Sequence, residues 1–268
     1  MGVVNATPDS FSGDGVLPTT GEVQQAVDQA LRMEDEGADI IDIGGESTRP
    51  VSIYPDAKPV EAENEIARVV PVIEGLIGRL EVPISIDTRK ATVAAAAVAA
   101  GASLVNDVSM LGDAAMSGML AESGVPIIVS HIRQGRHQGD VVEDVLGDLR
   151  RSIEELVSAG VERSHVIVDP GVGFAKSGAQ SMALLRNISE LRAMLALPVL
   201  IGTSRKSFIG AVTGESVDDR RFGTAATVAL AIQGGADIVR VHDMREMVSV
   251  VKMSDALTRQ QRDGTPDA

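Results

Sequence analysis

Asp87, Asn106, Asp169 and Lys206 are the side-chain types needed to read the edge of an amino-pyrimidinone ring. Carboxylates accept from ring N–H groups, a carboxamide donates and accepts at once, and an ammonium donates to a ring carbonyl or nitrogen. The set is complementary to a guanine-like or pterin-like edge. A second set is cationic: Arg49, Arg205, Lys206, Arg240 and His242 fall at or beside the ends of apolar runs and could gather an anion, for which pyrophosphate is a good fit. Arg240 and His242 are two residues apart, so an extended strand puts both on one face. Asn5 and Asp9 carry oxygens that could help to hold Mg²⁺, which binds through one or two protein oxygens plus phosphate oxygens and water. Plainer roles stay open for Asp87 and Asp169, as strand-end caps or as partners of Arg89 and Lys206, and for His242, as a structural hydrogen-bonder.

These residues belong to polar motifs that each follow an apolar run rich in β-branched residues. The motifs are Asn5-Ala6-Thr7-Pro8-Asp9-Ser10-Phe11, Gly44-Gly45-Glu46-Ser47-Thr48-Arg49-Pro50, Ser85-Ile86-Asp87-Thr88, Asp169-Pro170-Gly171-Val172-Gly173-Phe174 and Ser204-Arg205-Lys206-Ser207-Phe208. Something must hold them in one basin. Short β-rich runs alternate with segments of helical periodicity, which is the pattern of a parallel sheet with crossover helices. Strands are expected near 2–6, 39–43, 83–87, 103–107, 126–131, 165–169, 198–202 and 237–241. Helices are expected at Val23–Glu36, Ala62–Leu80, Thr92–Ala100, Val141–Ala159 and Arg221–Gln233.

A weak repeat supports eight units. Gly37-Ala38, Gly101-Ala102 and Gly235-Ala236 place a helix-capping glycine before the second, fourth and eighth strands. Pro83, Pro126 and Pro198 open the third, fifth and seventh, where no ladder donor is yet needed. This alternation suits a closed ring. The expectation is α/β: a single (β/α)₈ TIM barrel over residues 1–257, with the active site at the C-terminal ends of the strands and a flexible tail at 258–268. Asn5, Gly44, Asp87, Asn106 with Asp107, His131, Asp169, Gly202 with Thr203, and His242 with Asp243 close the eight strands in order.

Composition narrows the function. The 268 residues are 44% hydrophobic, enough for a large core, and the net charge of −14 argues against nucleic acid or an anionic membrane as partner. With no cysteine there is no thiolate nucleophile and no disulfide framework. Met1 leads straight into Gly2-Val3-Val4 without a signal-peptide pattern, so a cytoplasmic location is expected. Four Phe, one Tyr and no Trp leave few stacking platforms. Phe11, between Ser10 and Ser12, reads as a ligand contact, whereas Phe174 and Phe208 could equally be packing residues.

Taken together, NATPDSFS, GGESTRP, SIDT, VNDVS, DPGVGFAK, GTSRKSFIG and RVHD resemble the dihydropteroate synthase family, in that family's order, from Met1 to about Lys252. The resemblance implies a TIM barrel that condenses 6-hydroxymethyl-7,8-dihydropterin pyrophosphate with 4-aminobenzoate, releasing pyrophosphate. It implies that Asp87, Asn106, Asp169 and Lys206 hold the pterin, and that Asn5, Arg240 and His242 hold pyrophosphate with Mg²⁺, Asn5 serving the metal. Phe11, Thr48, Arg49, Pro50 and Ser207 would shape the aminobenzoate side. It also implies a homodimer, formed through helices late in the barrel. Pterin-binding methyltransferases share the barrel but generally lack the Ser-Arg-Lys-Ser motif.

Overall fold

The computed structural model describes residues 1–6, 19–46, 60–133 and 139–259. Its strands are β1 (Gly2–Asn5), β2 (Ile41–Gly44), β3 (Ile84–Asp87), β4 (Leu104–Asp107), β5 (Ile127–Ser130), β6 (Val166–Asp169), β7 (Leu200–Ile201) and β8 (Ile238–Val239). Its helices are α1 (Thr20–Asp35), α2 (Ala62–Leu76), α3 (Ala91–Ala100), α4 (Met116–Ser123), α5 (Val141–Ala159), α6 (Gly178–Arg186), α7 (Ile188–Leu195), α8 (Ser207–Thr213), α9 (Arg221–Gln233) and α10 (Met244–Thr258).

β1 to β6 pair in parallel in chain order, and β7 pairs with β8 in the same sense. Two single bridges connect these sheets: Val168 to Val199 joins β6 to β7, and Gly2 to Val241 joins the end of β8 to β1. The second closure is hydrogen-bonded both ways, Val3 N–H to the Val241 carbonyl at 3.2 Å and Val241 N–H to the Met1 carbonyl at 3.0 Å. With no open edge left, the eight strands form a (β/α)₈ barrel.

Period two divides each strand between two cores. One residue set faces the helices and forms the large outer core, including Val4, Ile41, Ile43, Ile86, Val105, Ile127, Val129 and Val168. The alternate set faces the lumen. Met1, Leu104, Ile128 and Leu200, with Ile40, Ile167 and Ile238, fill its floor as a separate apolar cluster. Each fully buried side chain of this size contributes roughly 1.5–3 kcal/mol. Two residues further along the strands, the lumen turns polar.

Local sequence sets the element ends. Thr19 caps α1 through a capping box with Glu22, so this helix starts a turn before the expected Val23. α2 stops at Leu76 rather than Leu80, because the chain leaves helical geometry at Ile77 and Gly78 has φ +74°. Gly37, Gly101 and Gly235 adopt positive φ before their strands, as the repeat predicted. The carbonyls of Pro83, Pro126 and Pro198 accept ladder bonds from the strand alongside. α10 runs to Thr258, and the Arg259 guanidinium donates to the Ala236 carbonyl at 2.8 Å, which carries ordered chain past the expected boundary at 257. Residues 260–268 lie outside the described part. No helix among the described residues is long and apolar enough to cross a membrane.

Candidate active site

Asp87, Asn106 and Asp169 all face the lumen above its apolar floor and are buried. Asp87 and Asn106 are register neighbours on β3 and β4. Arg240, two residues beyond Ile238, reaches back across the lumen: its Nη2 donates to Asp87 Oδ2 at 2.7 Å and its Nε donates to Asp42 Oδ2 at 2.6 Å. Asn106 Nδ2 donates to the same Asp42 oxygen at 3.1 Å. What these contacts leave over is informative. Asp42 Oδ1, Asp87 Oδ1, Asn106 Oδ1 and Ser85 Oγ are buried without a hydrogen-bond partner among the described residues. Buried polar atoms are ordinarily paired, so a cluster of carbonyl and carboxylate acceptors on three adjacent strands calls for a ligand that brings N–H donors.

Burial pushes the Asp87 carboxyl up to about 7; Arg240 opposes the shift, while Asp42, Glu65 and Asp107 add to it. Burial also raises Asp169, against the pull of Lys206 and of the Gly171 N–H, which donates to Asp169 Oδ1 at 2.7 Å. The Lys206 ammonium lies 4.1 Å from the centroid of the Phe174 ring and donates to the Val172 carbonyl. Burial brings Lys206 down to about 8, with Asp169 holding it up and Arg240 pushing it further down. The walls are thus acidic on β2, β3 and β6, and cationic on the segments after β7 and β8.

Three consecutive residues after β7 point in three directions because Arg205 sits in the left-handed region at φ +58°. Lys206 faces the pocket. Arg205 turns away and forms a two-pronged pair with Asp243, Nε to Oδ2 at 3.1 Å and Nη2 to Oδ1 at 2.5 Å. It therefore ties the β7 and β8 segments together rather than joining the anion-gathering cations. Ser204 Oγ accepts from the His242 backbone N–H at 3.2 Å and lies 3.0 Å from His242 Nδ1. When the Ser204 hydroxyl donates to Nδ1, the ring proton sits on Nε2 and is presented to a ligand. Desolvation lowers the ring's pKa to about 4, with Arg240 and Arg205 repelling a second proton, so His242 is neutral at pH 7.

Asn5 ends β1 beside Gly44 and is exposed at the barrel mouth. Among the described residues no group of three or more His, Cys, Asp or Glu side chains could hold a metal ion. Asn5 fits Mg²⁺ held mostly by phosphate oxygens and water, and would not by itself make a cage. Ser207, first residue of α8, is exposed near Lys206. Phe11, Asp9, Thr48, Arg49 and Pro50 lie outside the described residues. Phe208 is buried in the outer core.

The plainer roles divide as well. Arg89 pairs with Glu46, not with Asp87. His131 faces away from the lumen, where Asp148 of α5 binds its Nε2 at 2.9 Å. Asp107 also points outward and accepts from the N–H groups of Ser109 at 2.8 Å and Leu111 at 2.5 Å. Three groups were not anticipated. Asp42 could have been found as a lone acid inside the apolar run Ile40-Ile41-Asp42-Ile43, in phase with Gly44. Ser204 carries no sequence signal beyond its motif. Lys176 folds under the segment after β6, lying 2.9 Å from His131 Nδ1 and donating to the carbonyls of Gly171 at 3.0 Å and Phe174 at 3.2 Å.

A family model described as pterin binding enzyme matches residues 1–242. The dihydropteroate synthase of Bacillus subtilis (strain 168) is 46% identical over 258 residues, covering 96% of this chain and 87% of that protein. The crystal structure of the Clostridium difficile dihydropteroate synthase, obtained in the presence of pteroic acid, superposes with a TM-score of 0.90 at 41% identity and covers 97% of this chain and 96% of its own. That of the Xanthomonas albilineans enzyme with 4-aminobenzoic acid gives 0.88 at 41% identity, over 97% and 93%. An acceptor-lined lumen facing a pair of cationic segments, on a barrel this similar over nearly its whole length, leads to one assignment: the chain belongs to the dihydropteroate synthase family of pterin-binding enzymes.

Proposed function

We propose that this protein condenses 6-hydroxymethyl-7,8-dihydropterin pyrophosphate with 4-aminobenzoate to give 7,8-dihydropteroate and pyrophosphate. The observation that carries the reading is the cluster of unpartnered buried acceptors, Asp42 Oδ1, Asp87 Oδ1 and Asn106 Oδ1, opposite the ammonium of Lys206. A pterin edge offers N–H donors to Asp87 and Asn106 and a carbonyl or ring nitrogen to Lys206. Solved relatives, one obtained in the presence of pteroic acid and one with 4-aminobenzoic acid, support the same substrate classes.

Chemistry then follows from what faces the substrate. Asp87, Asn106 and Asp169 hold the ring, and Lys206 donates to it. The exocyclic C–O bond breaks as the methylene carbon gains positive charge, which the ring delocalises. Arg240 and the Nε2–H of neutral His242 stabilise the charge building on the departing pyrophosphate. The amine of 4-aminobenzoate attacks the methylene carbon and loses a proton, so no covalent enzyme intermediate is needed. Asn5 would hold Mg²⁺ together with phosphate oxygens, and the ion would neutralise leaving-group charge. Phe11, Thr48, Arg49, Pro50 and Ser207 serve the aminobenzoate side.

The assembly is a homodimer. α9 and α10 lie side by side and expose Phe222, at 82%, together with Leu230, Met253 and Leu257, large apolar side chains that a subunit interface would cover. The test is pyrophosphate release from the pterin pyrophosphate in Mg²⁺ buffer, with and without 4-aminobenzoate. Release that rises with the amine and yields dihydropteroate is expected; pterin binding without release would leave a pterin binder and sink the synthase reading. Light scattering of the purified chain should give twice its monomer mass.

A further inference from the structure

Asp42 is fully buried and holds together residues from strands it does not touch. It sits on β2, whose ladder neighbours are β1 and β3. Yet its Oδ2 accepts from Arg240, just past β8, and from Asn106 on β4, in each case passing over the strand between. Through Arg240 it is also coupled to Asp87, whose Oδ2 takes the Nη2 end of the same guanidinium. One carboxylate oxygen thus governs two groups that line the pocket.

The consequence for Asn106 is directional. Were its amide reversed, its oxygen would face the Asp42 carboxylate at hydrogen-bond distance, acceptor against acceptor. Asp42 therefore turns Nδ2 toward β2 and Oδ1 toward the ligand, and Oδ1 is one of the unpartnered buried atoms. Arg240 is treated likewise: with Nε on Asp42 and Nη2 on Asp87, its plane is fixed and its remaining N–H groups are aimed by two anchors rather than one.

We infer that Asp42 is a positioning residue that sets the hydrogen-bonding polarity of Asn106 and the plane of Arg240, and so decides which ring edge the pocket accepts. This rests on the reading that a pterin occupies the pocket. Asp42 makes its contribution through neighbours, and its effect should appear as altered selectivity rather than uniform weakening. A second signature is electrostatic. The charged groups whose fields reach Asp87 are Arg240, Asp42, Glu65 and Asp107, and the negative charge of Asp42 adds to the upward shift at Asp87. Neutralising Asp42 relieves Asp87 of that repulsion and leaves it a larger share of Arg240, both of which favour the ionised form.

The experiment titrates wild type and Asp42→Asn with 6-hydroxymethylpterin, followed by ligand fluorescence since the chain has no Trp, from pH 5 to 9. A parallel series uses 6-hydroxymethyllumazine, which carries a carbonyl in place of the 2-amino group. Wild type should prefer the pterin, and Asp42→Asn should narrow that preference by roughly tenfold or more, because a free amide can then meet either edge. The acid limb of pterin binding should move to lower pH. Equal weakening of both ligands with an unmoved limb would reduce Asp42 to a packing role and overturn the inference. Failure of wild type to bind the pterin at all would instead overturn the functional reading, and the role of Asp42 in ligand choice with it. Should Asp42→Asn not fold, wild type still decides: the Arg240 Nε–H, assigned by its loss in Arg240→Lys, should be protected from solvent exchange, and rapid exchange would contradict its seat on Asp42.

Discussion

The two sides of the barrel are built differently. β1 to β6 are four-residue strands joined by continuous ladders, and they carry Asp42, Asp87, Asn106 and Asp169. β7 and β8 have two residues each and meet their outer neighbours through one bridge apiece, yet the segments after them carry Lys206, Arg240 and His242. Side chains hold this cationic side in place: Arg240 to Asp42 and Asp87, Arg205 to Asp243, and Arg192 to Asp237. The acidic wall is a product of backbone geometry, whereas the cationic wall depends on ion pairs, two of which span the lumen. Removing a cation that holds the second side should therefore cost stability as well as function, whereas neutralising Asp87 on the first side should chiefly change binding.

Arg240→Ala is the severest test of this contrast. It strands two buried carboxylates, for which the expected loss of stability is about 3–5 kcal/mol by urea unfolding, accompanied by loss of pyrophosphate release. Retained stability would mean that the lumen does not depend on the pair.

Asp87→Asn should show the opposite profile. The folded-state pKa of Asp87 is raised from 3.8 to about 7, so the folded state holds a proton that the unfolded state has already lost between those values. Stability from this group is present below pH 4 and lost as pH rises through 7. The Asn variant escapes that loss and should be as stable as wild type or more so at pH 8, while its pterin affinity falls on the order of tenfold or more. In wild type, pterin binding should weaken below about pH 7 as Asp87 takes up a proton, and again above about 8 as Lys206 loses one. A flat profile from pH 6 to 9 would contradict both assignments.

Ser204→Ala probes the cationic side without removing a charge. Releasing the Nδ1 of His242 should reduce turnover by roughly tenfold, the effect of one hydrogen bond of about 1 kcal/mol and a lost tautomer, with pterin affinity nearly unchanged. Arg192→Gln should matter least. Arg192 is half exposed, and Asp237 keeps its bond from the Val199 N–H at 2.9 Å, so a change within about 1 kcal/mol is expected by thermal unfolding. A larger loss would extend the reliance on ion pairs to the outer rim.

Periodicity, glycine caps and proline entries were enough to read eight strand–helix units and a closed ring, since each reports a local backbone preference that tertiary packing did not override. The polar strand ends were equally legible, and Asp87, Asn106, Asp169, Lys206, Arg240 and His242 do meet around one lumen. Sequence alone did not settle which of two adjacent polar residues faces inward. Asn106 points in and Asp107 out, Ser130 in and His131 out, and His242 in while Asp243 binds Arg205. A shift of one residue exchanges the faces, and only the pairing of neighbouring strands fixes that parity. Asp42 stood out only as a lone acid in an apolar run, and its role was not legible because its partners lie 64 and 198 residues away in the chain. Which residues could act was written in residue types and local spacing; which of them act together was decided by closing the ring, which brings strands two places apart within reach of a single carboxylate.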